Sequence, residues 1–146
     1  MARQLVLDTN TLIAYERAAF DTTALDDDDL AIAAVTVAEF RVGIELARTA
    51  TQAAERARVL AVILDVVTVL DYTERTAIEH ARLLAHVRRS GSPRGAHDLI
   101  IAAHAAEHGR TVVSLDARTR FEDLPGVDAL DPTSNHRCPA RPEKSS

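Results

Sequence analysis

The stretch Gln4-Leu5-Val6-Leu7-Asp8-Thr9-Asn10 decides the fold. Gln4 to Leu7 is a short apolar strand, Asp8 stands where it ends, and helix-compatible residues follow from Asn10 to Ala19. A strand that runs at once into a helix is the opening of an α/β domain, and the step recurs. Leu30 to Val35 is apolar enough for a strand buried on both faces, and Val37, Phe40, Ile44 and Ala47 then repeat at helical spacing. Ala53, Ala57, Leu60 and Leu64 give the same period within Gln52 to Leu64, so two helices form a hairpin-like pair. Val66 to Leu70 predicts a strand, and Thr73 opens a long helix whose stripe of Ile78, Ala81, Ala85 and Arg88 leads toward Arg89. Ser90-Gly91-Ser92-Pro93 closes it. A helix over His97 to His108 should stop at Gly109, the place of a left-handed cap. Thr111 to Leu115 predicts another strand, and Val127 to Leu130 an edge strand after Pro125-Gly126.

Because parallel neighbours need helical crossovers, this alternation predicts a three-layer α/β/α domain with a central parallel sheet of four to five strands. A length of 146 residues fits one domain, expected over residues 1–130. Residues 131–146 hold Pro132, Pro139 and Pro142 among Ser, Arg and Lys, and are expected to form a disordered C-terminal tail. No internal repeat is present.

Composition narrows the function classes. Aromatic residues make up 3% and Trp is absent, which argues against stacking platforms for single-stranded nucleic acid. Net charge is -5, and Lys144 is the sole lysine, so nearly all positive charge is arginine, the side chain suited to bidentate phosphate contacts. Nucleic-acid binding would have to be local. The single cysteine, Cys138, allows neither an intrachain disulfide nor a cysteine zinc site, which fits a reducing, cytoplasmic setting. The apolar run after Arg3 is too short for a signal-peptide core or a membrane span, so a soluble, unprocessed protein is expected.

Four acids carry the chemical signal. Asp8, Glu39, Asp98 and Asp116 each sit where a strand gives way to a helix or where a helix begins. In open α/β sheets the ligand crevice lies outside the carboxyl ends of the strands, so acids scattered in sequence converge there. Each taken alone also reads as a cap. Thr36-Val37-Ala38-Glu39 matches a capping box, Asp8 or Asn10 suits an N-cap, Asp98 complements a helix dipole, and Asp116 suits a short turn. Independent caps, however, need not share one edge of a sheet.

The local contexts are Val6-Leu7-Asp8-Thr9-Asn10, Val35-Thr36-Val37-Ala38-Glu39-Phe40 with Gly43, His97-Asp98-Leu99-Ile100-Ile101-Ala102, and Val113-Ser114-Leu115-Asp116. In this order they resemble the acidic motifs of PIN-domain ribonucleases, from Leu5 to about Val127, and within them the toxin ribonucleases of bacterial VapBC-type toxin–antitoxin pairs. The fourth motif departs from the pattern: many members carry Asn before a further acid, whereas here Asp116 stands first and Arg120-Phe121 follows. The resemblance implies an endoribonuclease that uses Mg²⁺ or Mn²⁺, with Asp8, Glu39, Asp98 and Asp116 as catalytic residues and Asp8, Asp98 and Asp116 as metal ligands. Asp8 and Asp98 would hold the ion directly, with Glu39 and Asp116 completing the site, and the RNA cut would leave a 5′-phosphate and a 3′-hydroxyl. A homodimer and a small VapB-type antitoxin partner are also implied. Such hard ions prefer oxygen ligands and keep several waters, so few direct carboxylates suffice. Thr9, Asn10 and Ser114 stand beside the acids as supporting residues, although short polar residues there are also ordinary turn formers. Arg88, Arg89 and Arg94 before Asp98, and Arg118 and Arg120 beyond Asp116, are candidate contacts to the RNA backbone.

Three rivals stand beside this reading. His104-Ala105-Ala106-Glu107-His108 matches the H-x-x-E-H pattern of some zinc proteases, without a third zinc ligand evident nearby. A phospho-receiver domain also has an acidic Mg²⁺ pocket, but its family pattern needs a pocket lysine and Lys144 is misplaced. A non-catalytic interaction domain, associating through Ala/Leu-rich helical faces, would use the acids only as caps. The run Asp26 to Asp29 reads as a self-repelling solvated loop rather than a metal site.

Overall fold

A computed structural model describes residues 2–134. Most of the tail predicted over 131–146, with Cys138 and Lys144, lies outside the described residues, and Asp131 within them accepts from the Thr133 N–H in a local turn. The elements are β1 (Gln4–Leu7), α1 (Thr9–Glu16), β2 (Asp29–Ala33), α2 (Ala34–Glu45), α3 (Ala50–Val66), β3 (Thr68–Leu70), α4 (Glu74–Ser90), α5 (Ala96–His108), β4 (Thr111–Val113) and β5 (Ala129–Leu130). They form a five-stranded sheet in the order β3-β2-β1-β4-β5, with every pairing parallel.

Strand alternation builds the layers. Leu5, Val6 and Leu7 are all fully buried, and successive side chains point to opposite faces. Leu5 and Leu7 join Leu12, Leu25, Ile32 and Ile63 in one core, against which Val37 and Phe40 of α2 also pack. Val6 joins Ala31, Leu83, Leu99, Ile101 and Phe121 in the other. Two cores, one on each side of the sheet, make the expected α/β/α sandwich. Each leucine so buried contributes about 1.5–3 kcal/mol of transfer free energy.

Several boundaries move for identifiable reasons. Helix α1 starts at Thr9, ahead of the expected Asn10, because Asp8 is its N-cap: the Thr11 N–H donates to Asp8 Oδ1 at 2.9 Å. It ends at Glu16, short of Ala19, as the chain turns through Ala18 at φ 49°. Strand β2 ends at Ala33, so Val35 is already helical and the Thr36–Glu39 capping box does not form. Thr36 and Glu39 both lie inside α2, whose N-cap is Ala33 without a side-chain bond. Val66, expected in a strand, closes α3 instead. Gly91 and Gly109 end α4 and α5 in the left-handed region, at φ 67° and 62°.

The acidic run is not simply a solvated loop. Arg3 spans both oxygens of Asp28, with Nε to Oδ1 at 3.1 Å and Nη2 to Oδ2 at 2.7 Å, and Arg110 Nη1 reaches Asp29 Oδ1 at 3.2 Å. Cations from two neighbouring segments divide the repulsion and fix the entry to β2 beside β1. No helix among the described residues is long and apolar enough to cross a membrane.

Candidate functional site

From β1 the chain builds outward through β2 to β3, then returns to place β4 on the other side of β1. The crevice of such a sheet opens where that order reverses, beyond the carboxyl ends of β1 and β4. Asp8 follows β1 directly and Asp116 lies just past β4. The Asp8 N–H donates to the Val113 carbonyl at 3.2 Å, and the Leu115 N–H donates to Thr11 Oγ1 at 3.0 Å, so both strand ends are stitched together. Thr11 is fully buried and serves both sides of the crevice, a positioning role that sequence alone did not signal.

Each acid is held differently. Asp8 is 4% exposed, and its Oδ1 is committed to the cap of α1 while Oδ2 carries no hydrogen bond among the described residues. Capping and site membership are therefore compatible in one side chain. Glu39 lies on α2, where its Oε1 accepts from Thr9 Oγ1 at 2.9 Å and stands 3.1 Å from His97 Nδ1. Thr36 Oγ1 lies 3.2 Å from Thr9 Oγ1. Asp98 sits in the first turn of α5, a helix that packs over β1, β2 and β4 and touches α2. A Cβ at Gly95 would come within 3.1 Å of Asp98 Oδ2, so the glycine leaves that oxygen room. Asp116 caps a 3-10 turn at Ala117–Thr119, and Arg118 spans its carboxylate, Nε to Oδ1 at 3.0 Å and Nη2 to Oδ2 at 3.1 Å.

The four acids feel one another's charge. The Asp98 carboxyl is held above its ordinary value, first by burial and then by repulsion from Asp8, Glu39 and Asp116, with His97 opposing. Asp8, Glu39 and Asp116 thus all lie within electrostatic reach of Asp98. Asp116 is pulled the other way, chiefly by its hydrogen bonds from Arg118.

A PIN-domain family model matches residues 5–127. The chain belongs to the PIN-domain family. Ribonuclease VapC5 of Mycobacterium tuberculosis is 38% identical over 126 residues, spanning 86% of this chain and 91% of the relative. The tRNA(fMet)-specific endonuclease VapC of Salmonella typhimurium is 31% identical over 138 residues, spanning 88% and 97%. The crystal structure of DNA-bound VapBC from Salmonella typhimurium superposes with a TM-score of 0.78 at 29% identity, covering 90% of this chain and 99% of that one. The similarity is thus to VapC-type PIN ribonucleases over nearly the full length of both chains.

In this PIN domain the remaining sequence candidates separate. Thr9 reaches Glu39, as above. Ser114 Oγ accepts from the Asp116 N–H at 3.2 Å and so shapes the turn that presents that acid. Asn10 is exposed in the first turn of α1. Arg94 is turned inward as a brace: Nη1 donates to the carbonyls of Thr119 and Arg120. Arg120 pairs with Asp123 at 2.6 Å. Arg88 and Arg89 are exposed in the last turn of α4. His97 was not singled out by sequence, although it adjoins Asp98 in the third motif.

Proposed function

We propose that this chain is a divalent-metal-dependent endoribonuclease, the toxin of a toxin–antitoxin pair, acting on RNA of the tRNA or rRNA class. The observation that carries this reading is the convergence of Asp8, Glu39, Asp98 and Asp116 at the sheet's switch point, in a chain similar to VapC ribonucleases.

The donor set fits a hard cation. All four side chains offer carboxylate oxygens, and Asp98 has no cationic salt-bridge partner among the described residues to offset the repulsion it bears. No three of the acids bring donor atoms within 4.8 Å of one another. That spacing is compatible with an ion that keeps several waters and needs only one or two direct carboxylates. Asp8 and Asp98 would hold Mg²⁺ or Mn²⁺, with Asp116 as a further ligand. Such an ion supplies neutralisation of the carboxylates, a more acidic water and stabilisation of charge developing on the phosphodiester.

The chain's own residues divide the rest. Thr9 and His97 fix Glu39 through Oε1, which leaves Oε2 to orient the attacking water and accept its proton. Arg118 faces solvent beside Asp116 and offers a guanidinium to the RNA backbone, as do Arg88 and Arg89. Val42 and Leu46 on α2, with Val62 and Val66 on α3, are exposed apolar residues suited to association with a VapB-type antitoxin or a second copy of the chain. A cytoplasmic location accords with an RNA substrate.

The test is cleavage of defined tRNA and rRNA fragments by antitoxin-free protein with Mg²⁺ or Mn²⁺, comparing wild type, Asp8→Asn, Asp98→Asn and an EDTA control. Discrete cuts that vanish with EDTA and in both folded variants support the proposal. Cleavage undiminished in the variants sinks it.

A further inference from the structure

A second cluster of ligating side chains lies on α5, away from the acids. His104, Glu107 and His108 each offer a donor atom within 4.8 Å of the other two, the one such trio among the described residues. Residues three and four apart share a helix face. At 1.5 Å of rise per residue, His104 sits about 9 Å along the helix from Asp98 and His108 about 15 Å.

His104 is the telling member. Its side chain is fully buried, and neither Nδ1 nor Nε2 has a hydrogen-bond partner among the described residues. Tyr72 packs edge-on against the ring with centroids 6.2 Å apart, which fills space but satisfies neither nitrogen. A buried polar atom left unpaired costs about 1–3 kcal/mol, and a metal ion would take the lone pair of one of these two nitrogens.

The other two members are prepared around it. Thr76 Oγ1 donates to Glu107 Oε2 at 2.6 Å and Thr73 Oγ1 to Oε1 at 3.5 Å, the outer hydrogen bonds that orient a ligating carboxylate. His108 Nε2 stands 3.5 Å from Glu107 Oε2, and its side chain is 41% exposed, which leaves an entry from solvent.

We propose that His104, Glu107 and His108 form a binding site for one divalent cation of borderline softness, Zn²⁺ or the chemically similar Co²⁺, distinct from the acidic centre. Two imidazoles and one carboxylate suit such an ion, whereas the all-carboxylate centre suits Mg²⁺. The role is structural. Both Glu107 oxygens accept from threonine hydroxyls at the start of α4, and each keeps a lone pair for an ion. The same bonds make the ion a clip between the end of α5 and the start of α4.

The experiment is Zn²⁺ titration of the full chain carrying Asp98→Asn, in excess Mg²⁺ so that the acidic centre does not compete. Affinity and the metal-dependent rise in thermal midpoint are read with and without His108→Gln or Glu107→Gln. The expected result is one equivalent of Zn²⁺ bound, a raised midpoint, and affinity at least tenfold weaker in His108→Gln. His108 is partly exposed, so metal-free His108→Gln should melt with its parent. No saturable Zn²⁺ binding, or equal affinity in both variants and their parent, overturns the proposal.

Discussion

Thr9 Oγ1 donates to Glu39 Oε1 at 2.9 Å, and His97 Nδ1 stands 3.1 Å from the same oxygen. One carboxylate oxygen thus gathers the first residue of α1, the second turn of α2 and the start of α5. Glu39 is positioned by three elements that meet only in the folded chain.

Thr9→Val keeps the shape and removes the donor. A hydrogen bond to a charged group contributes about 1.5 kcal/mol, so the thermal midpoint should drop by a few degrees and, with Glu39 no longer held, turnover should fall about tenfold. RNA cleavage kinetics beside a melting curve check this. Turnover equal to wild type would mean that Glu39 needs no such support.

Asp8 both caps α1 and belongs to the acidic centre, and substitution separates the two roles. Asn caps as well as Asp, so Asp8→Asn should retain stability while losing cleavage. Asp8→Ala should lose cleavage and also about 1 kcal/mol of stability. Denaturant unfolding of the pair decides it; equal stabilities would remove the cap from the account.

Asp98 gives a pH signature in metal-free protein. Its folded-state pKa is raised, so the native state holds this proton more tightly than the unfolded chain and stability falls as pH rises from the ordinary carboxyl value through the raised one. Asp98→Asn should therefore stabilise the EDTA-treated protein at neutral pH, with the gain disappearing below the ordinary carboxyl range. Unfolding midpoints across pH measure it. A destabilised Asp98→Asn at neutral pH would contradict the repulsion inferred from Asp8, Glu39 and Asp116.

The layers were legible because apolar patterning encodes them: the run from Leu30 read as a strand buried on both faces, and Ala31 and Ala33 pack into one core while Leu30 and Ile32 pack into the other. Helix ends were less legible. Thr36 and Glu39 have the spacing of a capping box, but the tight turn from Ala33 into α2 places both inside the helix. Long-range pairing left no local trace. Nothing near Asp28 announces that Arg3, 25 residues away, will span it, or that Thr11 will receive the Leu115 N–H across the crevice. His97 was readable only as the neighbour of Asp98, because its approach to Glu39 depends on α5 meeting α2.

Arg118 holds both oxygens of Asp116, yet its own side chain is 91% exposed, so the pair is open to competition. A phosphate offers the same bidentate geometry as a carboxylate, and RNA can therefore exchange with Asp116 for the guanidinium. Such an exchange would free Asp116 as substrate arrives. Arg118→Ala should then raise KM several-fold, leave kcat near wild type, and reduce the salt dependence of RNA binding by about one phosphate contact, a slope change of roughly 0.7 for single strands. Arg118→Lys keeps the charge without the fork and should fall between the two. If kcat falls instead and KM and the salt slope stay unchanged, the arginine serves to fix Asp116 and not to receive RNA.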